Sequence, residues 1–193
     1  MINTKTVLIF GAGASQAYGL LLGNELYEMV IKDFSADAAQ RTAESVVKRE
    51  FLDATAFNER QIAQFINALR YSGLTSVDTF LERRTDFLEI GKAIIAIELL
   101  RRESVTTLWE GGSNWMQYLY ARMTSDSLEA FTQNQVKFIT YDYDRTLEHF
   151  LFTSLQNTYR ADERACAQIV SEIGIIHLHG RLATASGRPR YAI

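Results

Sequence analysis

The 193-residue chain contains a single cysteine, Cys166, and a single proline, Pro189. One cysteine excludes an internal disulfide and also a zinc site built from closely spaced thiolates. The simpler interpretation of Cys166 is a small buried hydrophobic residue. The formal net charge is −3, so no basic surface favours nucleic acid or an anionic membrane. Nucleic acid is therefore not indicated as a partner.

Long apolar runs are also lacking. The most apolar stretch, residues 93–100, is far too short to cross a bilayer and contains Glu98. The first residues, Met-Ile-Asn-Thr-Lys, lead directly into a strand-like segment without the layout of a signal peptide. We therefore predict a cytoplasmic protein that has no membrane partner. A hydrophobic content of 47% with 22% charged residues is ordinary for one globular domain.

Three short apolar runs, residues 6–10, 136–140 and 175–178, predict strands of a parallel sheet. Each run is continuous rather than alternating, which is typical of a strand buried on both faces, and each ends in small or polar residues. In open α/β sheets, ligands bind at the carboxyl ends of the strands. Sheets usually have about five or six strands. We therefore expect the sheet to be incomplete and the chain to be a fragment of a longer protein.

The sequence between the first two predicted strands contains no proline, and its apolar residues recur at helical spacing. Helices are predicted over 24–34 with Asn24 as the cap, 36–52, 56–69, 76–102 with Ser76 as the cap, and 115–123, with a break at Gly111-Gly-Ser-Asn114. Further helices are predicted over 145–155, capped by Asp144, and over 164–173. Residues 183–193 are predicted to form a loop. The predicted fold is α/β, a Rossmann-like parallel sheet with a large helical insert between the first and second strands. Residues 1–29 and 134–193 form the Rossmann-like part of a single domain, and residues 30–133 form the insert.

The segment Val7-Leu-Ile-Phe-Gly-Ala-Gly-Ala-Ser15 places two glycines directly after the first predicted strand. Glycines there allow a tight turn and let backbone N–H groups approach a phosphate, and the dipole of the following helix favours the negative charge. However, Gln16 stands where a dehydrogenase fingerprint has its third glycine, and no P-loop lysine motif occurs anywhere in the chain. The segment therefore favours a dinucleotide without hydride transfer, and the alternative is an ordinary strand-to-helix turn.

The end of the second predicted strand carries Thr140, Asp142 and Asp144 at alternate positions. If both carboxylates face one pocket, the pKa of at least one of them is raised. The alternative is that Asp144 caps the next helix and Asp142 is a solvated loop residue.

Two histidines lie at the end of the third predicted strand, in Ile175-Ile-His-Leu-His-Gly-Arg181. If the strand persists, alternation sends His177 and His179 to the same side. His179 precedes a glycine and has room to face a cleft, where an imidazole suits a general base. A structural role is the alternative for His177. No third ligand has a recognisable spacing, so no metal is expected.

Taken in order, these three segments resemble the SIR2-like (sirtuin-like) domains of bacterial NAD⁺-consuming proteins, many of which serve in anti-phage defence. The resemblance is best over residues 6–27, where the glycine segment is followed by Gly19-Leu-Leu-Leu-Gly-Asn-Glu-Leu26 with Leu21 in place of the family's proline. Ser76-Val-Asp-Thr-Phe-Leu81 is similar to the family's Ser-Ile-Asp-x-Phe-Leu. Residues 138–150 are similar to its Thr-Thr-Asn-Tyr-Asp strand end, and His177-Leu-His-Gly-Arg-Leu182 to its His-Gly segment.

The resemblance implies an NAD⁺ glycohydrolase with NAD⁺ as the substrate and no metal. It implies that the pyrophosphate and adjoining ribose are bound by Gly11, Ala12, Gly13, Ala14 and Ser15. It implies a nicotinamide-side pocket formed by Thr140 and Asp144, with Gly180 beside it, and a catalytic base at His179. The zinc-ribbon cysteines of protein-deacetylating sirtuins are absent, which favours hydrolysis over deacetylation. A homo-oligomer, or a complex with a defence-system partner protein, is the expected assembly.

Asp142 is the main departure from the family, which has asparagine at this position. An amide both donates and accepts hydrogen bonds, whereas an ionised carboxylate only accepts. Asp142 is therefore either a catalytic variant that orients the ribose or the attacking water, or an inactivating substitution. Two alternatives to the hydrolase follow: a module that binds NAD⁺ or ADP-ribose without turnover, and an oligomerising assembly domain with a vestigial pocket.

Overall fold

The computed structural model describes residues 1–35, 44–103, 108–109 and 115–182. The elements in chain order are β1 (Thr6–Phe10), α1 (Gly13–Gln16), α2 (Gly23–Phe34), α3 (Glu44–Ala54), α4 (Glu59–Arg70), α5 (Val77–Arg83), a 3₁₀ turn (Thr85–Phe87), α6 (Leu88–Leu100), α7 (Trp115–Met123), α8 (Leu128–Phe131), β2 (Val136–Thr140), α9 (Thr146–Tyr159), α10 (Glu163–Ile173) and β3 (Ile175–His177). The fold is a mixed α/β fold built on a small parallel sheet.

The chain divides into two compact units. One, here called the sheet unit, is Met1–Leu20 with Glu103–Ile193, and the other, the helical unit, is Leu21–Arg102. Helix α2 therefore belongs to the helical unit, and helices α7 and α8 belong to the sheet unit. This division differs from the sequence-based one, which separated residues 30–133 from the rest.

The three described strands form one parallel sheet in the order β1-β2-β3. Thr6 pairs with Val136 and Phe10 with Thr140, while Thr140 also pairs with His177. Strands β1 and β2 have the predicted bounds, and β3 ends one residue early, at His177. The strands are in register, so their carboxyl ends lie at one edge of the sheet.

The prediction that the strands are buried on both faces is wrong for all three strands, since Lys137 of β2 is also exposed. Val7 is 57% exposed, Ile9 is 65% exposed and Ile176 is 53% exposed, whereas the opposite face of β2 buries Phe138 completely. A continuous apolar run does not distinguish a strand covered on two faces from one covered on a single face.

The core of the sheet unit lies on the covered face of the sheet. Its largest fully buried side chains come from α8, β2 and α9, namely Phe131, Phe138 and Phe150. Cys166 of α10 is also fully buried there, as predicted, and burial raises the pKa of its thiol.

The predicted helix over 76–102 is broken in two. Ser76 caps its first half as expected, because its Oγ accepts a hydrogen bond from Thr79 N. The break lies at Arg84, whose φ is −116° and ψ is 70°. In one continuous helix, Phe80 and Phe87 would be separated by a rise of about 10 Å. The break instead brings these two rings to 6.0 Å between centroids, and both contact Phe65 of α4.

The helical unit buries the apolar stripe of α6, including Ile90, Ile94, Ile95 and Leu99. Glu98 lies within this stripe and is fully buried. The pKa of the Glu98 carboxyl is raised. Burial is the largest cause and the neighbouring Asp33 adds to it, whereas the hydrogen bond from the Arg102 guanidinium acts in the opposite direction.

Two helix caps differ from the prediction: the N-cap of α2 is Leu22 and that of α9 is Arg145. Helix α2 begins at Gly23, so Asn24 is not its cap, and Glu25 Oε2 instead accepts from Leu22 N at 2.7 Å. Helix α9 begins at Thr146, and Asp144 Oδ1 accepts from Thr146 N at 3.0 Å, which confirms Asp144 as the acceptor at the helix start.

Several predicted features lie outside the described residues: the first part of the helix over 36–52, the break at Gly111-Gly-Ser-Asn114 and the loop over 183–193. Over the part of the chain that the structure describes, no helix combines the length and the hydropathy needed to cross a bilayer.

Candidate functional site

A small cavity lies at the edge of the sheet where the three strands end. Its volume is about 20 Å³, which is room for a single water molecule. The residues that line it are Phe10, Ala14, Ser15, Trp115, Met116, Thr140, Asp142, Asp144, Leu147, Glu148 and His177. The cavity, called the edge cavity below, therefore collects side chains from segments that are far apart in the sequence.

Ser15 connects the first loop to the end of β2. Its Oγ lies 3.3 Å from Asp144 Oδ1 and 3.5 Å from Asp142 Oδ2, so it can donate to either carboxylate. Thr140 fixes the turn after β2, because its Oγ1 accepts a hydrogen bond from Asp142 N at 2.9 Å. The two carboxylates thus face one cavity, although Asp144 also accepts the hydrogen bond from Thr146 N at the start of α9.

The pKa of Asp142 is raised to about 6. Burial is the largest cause, and the charge of Asp144 adds to it, whereas hydrogen bonds from Ser15 and Thr140 and the charge of His177 act in the opposite direction. Asp142 is therefore not the solvated loop residue of the alternative interpretation. The sequence-based expectation of one raised carboxyl pKa is met at this position.

His177 is held at both ring nitrogens. Its Nδ1 lies 2.9 Å from the Asp142 carbonyl oxygen and its Nε2 lies 3.0 Å from Glu148 Oε1. A carbonyl oxygen and an ionised carboxylate can only accept, so both bonds are made only when the imidazole carries two protons. Burial acts to lower the pKa of His177, but the bonds to Glu148 and Asp142 outweigh it and raise that pKa. The two contacts and the raised pKa favour the protonated imidazole, and because both ring nitrogens are engaged they support the structural interpretation of His177.

Glu148 has the complementary shift. Burial acts to raise its pKa, and the hydrogen bond and charge of His177 reverse the direction and lower it. Arg145 Nε lies 3.3 Å from the same carboxylate oxygen. Sequence reasoning missed Glu148 as a residue of this site. The available signal was its place in the first turn of the helix that follows β2, since that turn starts at the carboxyl edge of the sheet.

His179 lies outside the edge cavity. The strand ends at His177, and residues 178–179 form a turn. The expectation that the two histidines point the same way required the strand to continue, so it does not apply. His179 is exposed, and its ring lies 5.6 Å from the ring of Tyr141 and 6.2 Å from that of Tyr143. Gly180, the next residue, has a φ of +86°, which favours glycine.

The loop of residues 11–15, called the glycine loop, does not require its glycines for the turn. Neither Gly11 nor Gly13 has a positive φ. A Cβ atom built at either position would meet nothing within 4 Å. The conformational reason given above for these glycines is therefore wrong, while open space above the backbone, which close approach of a ligand requires, is present at both.

The structure thus brings together in one cavity the predicted residues Ala14, Ser15, Thr140, Asp142 and Asp144. The predicted residues Gly11, Ala12, Gly13, His179 and Gly180 are not among the residues that line it. Trp115 and Met116, at the start of α7, were not predicted for the site, and no motif marks them.

Among the described residues, no group of three or more histidine, cysteine, aspartate or glutamate side chains is arranged to hold a metal ion. No family model, no curated protein and no solved structure matches the chain.

Proposed function

We propose that the chain is an NAD⁺ glycohydrolase domain that cleaves NAD⁺ to nicotinamide and ADP-ribose. In this proposal the parallel sheet is the centre of a Rossmann-like, SIR2-like domain, and the protein depletes NAD⁺ in the cytoplasm as an effector of anti-phage defence. The assembly expected with it is a homo-oligomer or a complex with a partner protein.

The observation that carries the proposal is the contact of Ser15 with both Asp142 and Asp144. It joins the glycine loop to the end of β2 at the carboxyl edge of the sheet, which is where open α/β sheets bind nucleotides. Open space over Gly11 and Gly13 allows a pyrophosphate to approach the backbone N–H groups.

The charges around the edge cavity suit the reaction. Cleavage breaks the bond between ribose C1′ and the pyridinium nitrogen, nicotinamide leaves with the electron pair, and positive charge develops at C1′. A carboxylate at Asp144 would stabilise that charge, and Asp142 would orient the ribose or the attacking water. Water adds at C1′, and a base takes its proton. The resemblance assigns this role to His179, which lies outside the edge cavity beside Tyr141 and Tyr143.

The proposal is tested by measuring nicotinamide release from NAD⁺. We expect His179→Ala to reduce the rate by about 10²–10⁴-fold, the usual contribution of a general base. We expect Asp142→Asn to raise it, because the amide restores a hydrogen-bond donor, and a positioned donor is worth about 10²–10³-fold. Asp126→Asn is the matched control, since Asp126 is exposed and does not line the edge cavity. An Asp142→Asn protein that is folded and releases no nicotinamide would refute the hydrolase.

A second candidate is a module that binds NAD⁺ or ADP-ribose without turnover. It is favoured by Asp142, which is ionised above a pH of about 6 and then offers no donor to the ribose or the water. Calorimetric binding without nicotinamide release would support this candidate over the hydrolase. For the third candidate, an assembly domain, light scattering with and without nucleotide would reveal the oligomeric state and its dependence on the ligand.

A further inference from the structure

Trp115, the first residue of α7, lines the edge cavity. Its indole Nε1 donates a hydrogen bond to the Ala14 carbonyl oxygen at 2.9 Å. Its ring lies 4.7 Å from the ring of Phe10, at the end of β1, and 6.4 Å from that of Tyr18. The next residue is tied to the same place, because Met116 N donates to Tyr18 Oη at 3.3 Å.

With Trp115 in its lining, the edge cavity is too small for a nucleotide. The volume of about 20 Å³ is far below the roughly 300–1,000 Å³ of typical ligand pockets. The indole hydrogen-bonds to the glycine loop itself, at the residue next to Ser15. We therefore expect a ligand that reaches Ser15, Asp142 and Asp144 together to displace the indole.

Displacement of the indole would expose a surface suited to a flat ring. Phe10 offers its ring where it now contacts Trp115, and the Ala14 carbonyl oxygen loses its donor and can accept from the ligand. A ligand that stacks on Phe10 and donates a hydrogen bond to the Ala14 carbonyl oxygen would replace the two contacts that Trp115 loses.

We propose that Trp115 is the access residue of the edge cavity, and that the cavity is selective for ligands whose flat ring takes the place of the indole against Phe10. A nicotinamide ring, whose amide can donate to the Ala14 carbonyl oxygen, satisfies both contacts. This inference rests on the proposed function, because it assumes that the cavity binds NAD⁺. Trp115 is in this sense a residue that determines specificity and not a catalytic one.

The test compares NAD⁺ affinity, by calorimetry, between the natural chain and two variants. Trp115→Phe keeps the aromatic contact and loses the hydrogen bond, which is expected to tighten binding about fivefold. Trp115→Ala loses the aromatic contact as well, and a further factor of about five is expected. Trp109→Phe is the matched control, because Trp109 stacks on Phe150 and does not line the edge cavity.

A second readout follows the indole itself. In the Trp109→Phe background, Trp115 is the only tryptophan, and we expect NAD⁺ to increase the quenching of its fluorescence by acrylamide. Equal affinity in the natural chain and both Trp115 variants, with unchanged quenching, would overturn the access role and leave the proposed function standing. Absence of NAD⁺ binding in all of these proteins would overturn both. A circular dichroism spectrum of each variant establishes that it is folded.

Discussion

The substitution Gly13→Ala tests whether this glycine is needed for ligand binding or for the fold. Gly13 is the first residue of α1, its φ is not positive, and an added Cβ would meet nothing within 4 Å. Alanine therefore fits the folded backbone without strain. Because alanine has less freedom in the unfolded chain, Gly13→Ala is expected to raise the free energy of unfolding by about 0.4–1 kcal/mol.

The effect of the same substitution on binding has the opposite sign. If a pyrophosphate approaches the backbone of the glycine loop, the new methyl group stands in its way and removes at least one hydrogen bond to a charged group. Such a bond contributes about 1.5–3 kcal/mol, so the Kd for NAD⁺ or ADP-ribose is expected to rise about 10- to 150-fold. Stability and affinity would then change in opposite directions in one variant.

Urea unfolding and isothermal calorimetry measure the two effects on the same preparation. Gly23→Ala is the matched control, because Gly23 is also the first residue of a helix, has no positive φ, and has open space at its Cβ position. We expect this control to gain stability without a change in Kd. An unchanged Kd in Gly13→Ala would refute the reasoning that the open space over the glycine loop receives a phosphate.

Three further predictions concern buried groups. The pKa of His177 is raised, so its bonds stabilise the fold at low pH and are lost as the pH rises through that raised pKa. Glu148→Gln should lower the pKa of His177, as measured by nuclear magnetic resonance of its ring protons, and an unchanged value would contradict the ion pair. The raised pKa of Glu98 means that stability falls as the pH rises above about 4.5, the ordinary value for glutamate. In Glu98→Gln this fall, followed by urea unfolding at pH 5 and pH 8, should be smaller, and an equal fall would exclude Glu98 as its source. An alanine Cβ at Gly91 would lie 2.5 Å from Leu81 Cδ2, so Gly91→Ala should destabilise the protein by about 1–3 kcal/mol. A second substitution, Leu81→Ala, should then be less costly than in the natural chain, and a fully additive double variant would indicate that the clash is relieved elsewhere.

The strands could be predicted from the sequence because their signal is local. Residues 6–10 and 136–140 are continuous apolar runs bounded by polar residues, and both bounds agree with the structure. The exposure of Val7 and Ile9 could not be predicted, because it depends on what covers the sheet. The break at Arg84 was missed for a similar reason: Phe80 and Phe87 fit a helical stripe, and only their common contact with Phe65 shows that the helix bends back.

The candidate site was predictable in part. Ser15, Asp142 and Asp144 follow the carboxyl ends of two strands, and such ends meet wherever parallel strands pair. The separation of His177 from His179 was not predictable, because alternation stops where the strand stops. The contribution of Trp115 was missed because it comes from the start of a helix that carries no motif, and its approach to Ala14 is a property of the packing alone.

The bonded His177 has one more consequence. Its two ring nitrogens join the backbone after β2 to the first turn of α9, and the histidine itself ends β3. One protonated imidazole therefore holds together the end of β3, the backbone after β2 and the first turn of α9. Loss of one ring proton would release the Asp142 carbonyl or the Glu148 side chain. The arrangement of side chains at this edge of the sheet is therefore expected to depend on the pH.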